Sequence, residues 1–343
     1  MRRLVLDLND KRPIWAIPGW AVGDVRASLP EDWEVHVATT PADGSGDGVG
    51  GGHPEVLQAV SGAEVYVGIG IPPEILRAGG ETLRWVHSGA AGVGGSLTPE
   101  MRRGRVLFTN SAGIHGPPIG EAVLGMILHF ARGFDFAVRG QARSEWWTEP
   151  FLRADTPVRE IAGSTVGILG LGGIGREVAK RVRPLGARAI GWKRKAGDAG
   201  EEVDELVVGE EGRNSILEES DYLVVAVPET PLTRGMIGRE ALGLMKEGSV
   251  LVNVARGGIV DSVALVDALK GGHLRGAALD VFQPEPLPED HPLWQLPNVL
   301  ITPHVSAVTR AFWRRETDLI TENVERYLSG RPLRNLVDLE AGY

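Results

Sequence analysis

The chain has 343 residues, 43% of them hydrophobic and 24% charged, with a formal net charge of −9 and no cysteine. That length exceeds one comfortable hydrophobic core, so two globular domains are expected. The missing cysteines exclude disulfides, thiolate metal sites and a cysteine nucleophile, the acidic balance argues against a nucleic-acid partner, and no apolar run approaches the roughly 18 residues of a membrane span.

The N-terminal segment, Met1 to Asp7, reads as the start of a strand. Its apolar run is too short for a signal peptide, and with the lack of cysteine this fits a cytoplasmic protein. Strands are expected at 4–8, 34–38, 63–68 and 83–88, alternating with helical stretches, which implies a parallel sheet flanked by helices. Residues 43–52 contain six glycines and read as a mobile surface loop before a helix at 54–61. Residues 119–133 are apolar on almost every helical face, so that helix is expected to be buried on several sides, between domains or between subunits. The charged stretch 139–160 carries Trp146 and Trp147 and reads as an extended arm. Helix and arm together predict a two-fold homodimer.

The segment Thr165 to Gly175 has the pattern of a buried strand turning through glycines into a helix. In such a unit Gly170 permits the tight turn, Gly172 lets backbone approach a pyrophosphate, and Gly175 lets helix and strand pack closely. Gly173 and Ile174 open the helix, whose unpaired first-turn N–H groups favour an anion. Gly186 ends that helix, and 187–192 forms a second strand. The pattern is a dinucleotide-binding βαβ unit.

The end of that second strand bears on which dinucleotide. A site for NAD usually places an acid about 20 residues after the first glycine, on the ribose 2′-hydroxyl. Here stand Lys193, Arg194 and Lys195, with no acid before Asp198. A 2′-phosphate carries roughly two negative charges, so cations there favour NADP(H) over NAD(H). Lysine is scarce in the chain, six against 30 arginines, yet two of the six flank Arg194. The arginine excess fits a GC-rich genome or a heat-adapted host equally well.

Further strands are expected at 222–227, 249–254, 276–280 and 299–302, with a last helix at 308–329 that could fold back on the first domain. Three segments follow these strands, where open α/β sheets bind ligands. They bring Arg256, Glu285 and His304 toward a common crevice. No cluster has metal-ligand spacing.

The order Arg256, Glu285, His304, with separations of 29 and 19 residues downstream of the glycine turn, resembles the D-2-hydroxyacid dehydrogenases. Supporting phrases are Asn110-Ser111-Ala112-Gly113, Val227-Pro228-Glu229-Thr230-Pro231-Leu232-Thr233 and Ala278-Leu279-Asp280-Val281-Phe282, so the resemblance covers nearly the whole chain. It implies two Rossmann/flavodoxin-like, doubly wound parallel-sheet α/β domains with a cleft between them. Residues 1–110 with 308–343 would form a discontinuous substrate-binding domain, and 111–307 the dinucleotide-binding one. The implied reaction passes a hydride between the nicotinamide and C2 of a small 2-oxo or D-2-hydroxy acid, such as glyoxylate or hydroxypyruvate. His304 would be the acid/base, as histidine is suited to proton transfer near neutrality. Glu285 would favour the charged imidazole, and Arg256 would fork onto the substrate carboxylate.

By the same resemblance the carboxylate takes backbone N–H groups at Ala91 and Gly92. Asp280 matches the residue holding the nicotinamide carboxamide, Val227, Pro228 and Thr233 line the adenosine end, and Ala255 joins the cofactor set. Trp146 or Trp147 could reach the partner subunit's site, as a tryptophan does in some relatives. Two departures stand out: the carboxylate loop, Ala91-Gly92-Val93-Gly94, lacks an acid often found there, and a threonine near the nicotinamide is replaced around Gly116-Pro117-Pro118. His115, just before, either contacts substrate or merely leads into the helix. Two alternatives stay open: a phosphite-type dehydrogenase with the same triad, and a non-catalytic NAD(P)-sensing protein like the related corepressors. Glu285 counts against formate oxidation, whose enzymes carry a neutral amide there.

Overall fold

Short apolar runs bounded by glycine and turn residues become strands. The computed structural model describes residues 2–42, 49–195, 200–340 and 342. Residues 43–48 of the glycine-rich stretch and Asp198 therefore lie outside the described residues. In chain order the elements begin with β1 (Arg2–Asp7), α1 (Gly19–Ala27), β2 (Trp33–Val37), α2 (Pro54–Val60), β3 (Val65–Gly68) and α3 (Pro73–Gly79). Next come β4 (Trp85–Ser88), α4 (Pro99–Arg103), β5 (Leu107–Asn110), α5 (Gly116–Ala131), α6 (Phe134–Ala142) and α7 (Glu149–Leu152). They are followed by β6 (Thr165–Leu169), α8 (Gly173–Val182), β7 (Arg188–Lys193), β8 (Glu205–Val208), α9 (Gly209–Glu219) and β9 (Tyr222–Val225). The series ends with α10 (Arg239–Leu244), β10 (Val250–Asn253), α11 (Ser262–Lys270), β11 (Gly276–Leu279), β12 (Val299–Ile301) and α12 (Phe312–Leu328).

The chain divides into two compact units, one of residues 1–115 with 308–343, the other of 116–307. The first holds a five-stranded sheet in the order β2-β1-β3-β4-β5, every pair parallel. Apolar side chains cover both its faces. Val5, Tyr66 and Phe108 face Val56 and Ile75, while Leu4, Leu6 and Trp85 face Phe312, Leu319 and Ile320 of α12. The β2-β1-β3 arrangement reverses the strand order at β1, so ligand-binding loops are expected at the carboxyl ends of these strands.

The second unit holds a seven-stranded parallel sheet in the order β12-β11-β10-β9-β6-β7-β8. Its central strands β9 and β10 are buried throughout, as continuous apolar runs must be when helices cover both faces. The strand order reverses between β6 and β9, which places a binding crevice beyond their carboxyl ends.

The structure bears on two further expectations. The apolar helix α5 finds its burial within its own unit, where Gly120 lies close against the Glu177 backbone of α8 and Val123, Ile127 and Phe130 join the sheet's core. Leu124 and Leu128 of the same helix are only partly buried. The stretch 139–160 is not wholly extended, since its first residues finish α6 and Glu149–Leu152 form one helical turn. Arg275 draws α6 inward by pairing with the buried Asp135 at 2.8 Å and lying over Phe136.

Candidate active site

The glycine turn in the second unit has the geometry its spacing demands. Gly170 has φ +101°, a left-handed conformation that favours glycine, and a Cβ there would lie 2.7 Å from the Ala226 carbonyl oxygen beyond β9. The turn therefore sits at the β6/β9 crossing point. At Gly175 a Cβ would fall on the Gly170 carbonyl oxygen, so only glycine lets α8 pack against the turn. At Gly172 a Cβ would meet no atom within 4 Å. Gly172 caps α8 without a side-chain hydrogen bond, and Gly173 and Ile174 open the helix's first turn with their N–H groups toward that space. These features fit a dinucleotide pyrophosphate on a helix N-terminus.

Lys193 ends β7, and Arg194 and Lys195 follow it with exposed side chains. Val227 is buried and Pro228 exposed just past β9. Thr233 folds the next turn, donating to the Pro228 carbonyl at 2.6 Å and accepting the Thr230 N–H at 2.8 Å.

Three adjacent strand ends carry the Arg–Glu–His set. After β10, the Asn253 side-chain amide bridges the turn: its nitrogen donates to the Arg256 carbonyl at 3.0 Å and its oxygen accepts the Ala255 N–H at 3.1 Å. Arg256 is half-buried. Gly257 presses so closely on Phe282 and Gln283 that a Cβ would overlap their backbone. The loop bearing Arg256 is thereby locked to the loop bearing Glu285. Glu285 then spans two partners, accepting the Phe282 N–H at 2.9 Å on one oxygen and standing 2.8 Å from His304 Nδ1 with the other. A carboxylate can only accept, so Nδ1 carries the proton of this bond and Nε2 is the ring nitrogen that this bond leaves unused. Both side chains are a little over a third exposed.

His304 has φ +54°. A side chain in this region costs about 1–3 kcal/mol and persists only where its surroundings over-determine it. Asp280 supplies that constraint. It is fully buried, its carbonyl accepts the His304 N–H at 2.8 Å, and its carboxylate gathers the loop around the histidine. One oxygen accepts from the Thr302 hydroxyl at 2.6 Å and the Val305 N–H at 2.9 Å, the other from the Ser306 N–H at 3.1 Å and the Ser306 hydroxyl. The sequence pointed to Asp280 for the cofactor; its hold on the His304 loop was not legible there.

In the first unit, Ala91 and Gly92 lie in the loop after β4. Asn110 donates to the Ala91 carbonyl at 2.8 Å, and the Ser111 N–H reaches the Ala90 carbonyl at 3.3 Å. Among the described residues, the N–H groups of Ala91 and Gly92 have no acceptor in the protein. Two adjacent unspent donors on a loop whose carbonyls are tied down suit a small anion. His115, the last residue before α5, stacks on Phe312 with ring centroids 5.4 Å apart and meets the edge of Trp15 at 6.4 Å. Missed by sequence reasoning was a polar group beneath the 88–93 loop, formed by His87, Ser111 and Glu316.

A glycine turn at the crossing point of a doubly wound sheet, with Arg, Glu and His on neighbouring strand ends, defines a dinucleotide-binding α/β protein. The chain belongs to the D-isomer specific 2-hydroxyacid dehydrogenase family, whose NAD-binding domain matches residues 124–306. It is 33% identical over 294 residues to D-3-phosphoglycerate dehydrogenase of Methanocaldococcus jannaschii, covering 83% of this chain and 53% of that one, so it spans about half the length of that relative. It is 38% identical over 221 residues to glycerate dehydrogenase of Methylorubrum extorquens, covering 64% of this chain and 67% of that one. Among solved structures it resembles a family member from Xanthobacter autotrophicus Py2 in complex with NADPH and MES (TM-score 0.80, 30% identity, 100% of this chain and 99% of that one). It also resembles the NADPH-dependent glyoxylate/hydroxypyruvate reductase of Sinorhizobium meliloti in complex with NADP and sulfate (TM-score 0.79, 28% identity, 100% of both chains).

Proposed function

We propose that this chain is an NADP(H)-preferring reductase of small 2-oxo acids, with glyoxylate, hydroxypyruvate or a close relative as substrate. The observation that carries the reading is the 2.8 Å bond between His304 Nδ1 and Glu285. It leaves Nε2 as the proton donor, on a loop held in a left-handed conformation. When bound, the nicotinamide would supply the hydride to C2. His304 gives the proton to the carbonyl oxygen as the alkoxide forms, a contribution of about 10² to 10⁴ in rate. Glu285 keeps the imidazole in one tautomer and orientation. Arg256 binds carboxylate and carbonyl oxygen as a planar fork that lysine cannot reproduce; by resemblance, the Ala91 and Gly92 N–H groups also take the carboxylate and His115 contacts the substrate. On this reading residues 1–115 with 308–343 bind the substrate and 116–307 the dinucleotide. Ala255 and Asp280 lie toward the nicotinamide, and Val227, Pro228 and Thr233 toward the adenosine. Initial rates with a panel of 2-oxo acids and phosphite test the substrate class. Turnover of phosphite alone would contradict it.

The cofactor preference rests on Lys193, Arg194 and Lys195. Each charge-assisted contact to a 2′-phosphate contributes about 1.5–3 kcal/mol, so two give roughly 10² to 10⁴ in discrimination. Arg194→Ala combined with Lys193→Asp is expected to reduce kcat/KM for NADPH far more than for NADH. A wild-type preference for NADH of about tenfold or more would mean that the basic residues face only solvent.

The protein is further expected to be a homodimer. Phe134 and Val138, one helical turn apart on α6, are each more than half exposed, and Trp146 is 96% exposed. An apolar group of this kind marks an association surface, and a second copy is its simplest occupant. Light scattering should give the mass of two chains; a monomer at micromolar concentration would contradict this.

A further inference from the structure

The carboxylate loop rests on a polar group that the proposed chemistry does not use. His87, on β4, and Glu316, on α12, are both fully buried, with His87 Nε2 3.2 Å from Glu316 Oε1. Ser111 lies between them and the loop. Its hydroxyl is 3.0 Å from Glu316 Oε1 and 3.0 Å from the Ser88 carbonyl, and 3.2 Å from His87 Nε2. On the far side, His87 Nδ1 is 2.8 Å from the Thr109 hydroxyl, which also accepts the Trp85 indole N–H at 2.8 Å. Glu316 Oε2 is buried with no hydrogen-bond partner among the described residues. A Cβ added at Gly89 would stand 3.5 Å from Glu316 Oε1, so this carboxylate lies directly beneath the loop.

A carboxylate and an imidazole withdrawn from water cost free energy that well-packed apolar residues would not. What this group gains is the placement of the loop. Ser111 reaches two of its carbonyls, Ser88 through the hydroxyl and Ala90 through the N–H, and Asn110 holds a third at Ala91. With those carbonyls turned inward, the Ala91 and Gly92 N–H groups are the donors left over.

We infer that Glu316, acting through His87 and Ser111, is a positioning residue that fixes the loop so that the Ala91 and Gly92 N–H groups meet the substrate carboxylate. This rests on the proposal that the loop binds that carboxylate. Binding geometry has to be held within about 0.5 Å, and loss of an interaction made equally in ground and transition states raises KM while kcat stays put.

The test is steady-state kinetics of Glu316→Gln, Ser111→Ala and the double variant, with thermal melts. Each single variant is expected to raise KM for the 2-oxo acid about tenfold, equivalent to about 1.4 kcal/mol, with kcat and the KM for the nicotinamide cofactor unchanged. The double variant should be no worse than the worse single, because both act on one chain of contacts. A lowered melting temperature with unchanged KM would overturn the inference and leave the group a purely structural one. If Glu316→Gln does not fold, Ser111→Ala, which removes one oxygen, carries the same expectation. Gly92→Pro deletes a loop N–H and separates the two levels. If it leaves KM unchanged, the carboxylate reading fails and takes the inference with it. If it raises KM while Glu316→Gln and Ser111→Ala do not, the inference alone fails.

Discussion

Replacing His304 by asparagine should cut kcat by about 10² or more while NADPH affinity stays close to wild type. Asparagine fits the space and, among non-glycine residues, tolerates a positive φ well, so the loop held by Asp280 should persist. On the proposed mechanism, what disappears is the proton donor. General acid catalysis of this kind accounts for about 10² to 10⁴ in rate, and the imidazole has no role in holding the pyrophosphate on α8. Pre-steady-state measurement should show the loss in the hydride-transfer step itself. Retention of more than about a tenth of wild-type kcat, well outside that range, would mean that another group supplies the proton.

Asp280→Ala should have the second-largest effect, and it acts on two properties together. Its carboxylate accepts from Thr302, Val305 and Ser306, beside the backbone bond from His304. Removal strands several donors, each costing about 1–3 kcal/mol where water cannot replace the lost acceptor. The expected destabilisation is about 3–5 kcal/mol, or roughly 10 °C in melting temperature for a unit of this size. Turnover should fall by about tenfold or more, because a loop free to leave the left-handed conformation no longer presents His304. A variant that melts like wild type would mean that the loop holds its conformation without this carboxylate. Thr302→Val is a milder comparison, since it removes one of these bonds and should move both quantities in the same direction by less.

The parts of the fold written as local pattern were legible beforehand. Continuous apolar runs such as Tyr222–Val225 and Val250–Asn253 are strands within a residue or two of their expected limits. The glycine turn behaves as its spacing requires, because the reasons lie in backbone geometry: a positive φ at Gly170 and a forbidden Cβ at Gly175. Strands β5 and β8 were not anticipated. Each has four residues, and β8 is a sheet edge with Glu205 and Val208 exposed, so neither carries a strong hydrophobic period. The arm after α5 was misread because α6 and α7 are short and amphipathic faces barely repeat within them.

The Arg256, Glu285 and His304 positions could be marked from order and spacing, and the His304–Glu285 contact was expected if the two loops met. Glu316 could not be found that way. Within Arg314-Arg315-Glu316-Thr317-Asp318 it reads as one more charge on a solvated helix, and only packing against His87 of β4 reveals that it is buried. Asp280 is the intermediate case: resemblance singled it out, but the four donors it gathers come from residues 22 to 26 positions away.

The most direct test of the central claim is the product formed from hydroxypyruvate and NADPH by the purified protein. The account predicts one D-glycerate formed for each NADPH consumed, with a slower reaction from NADH and none above background in His304→Asn. Formation of the L-isomer, or no glycerate from either cofactor with any 2-oxo acid of the panel, would contradict it.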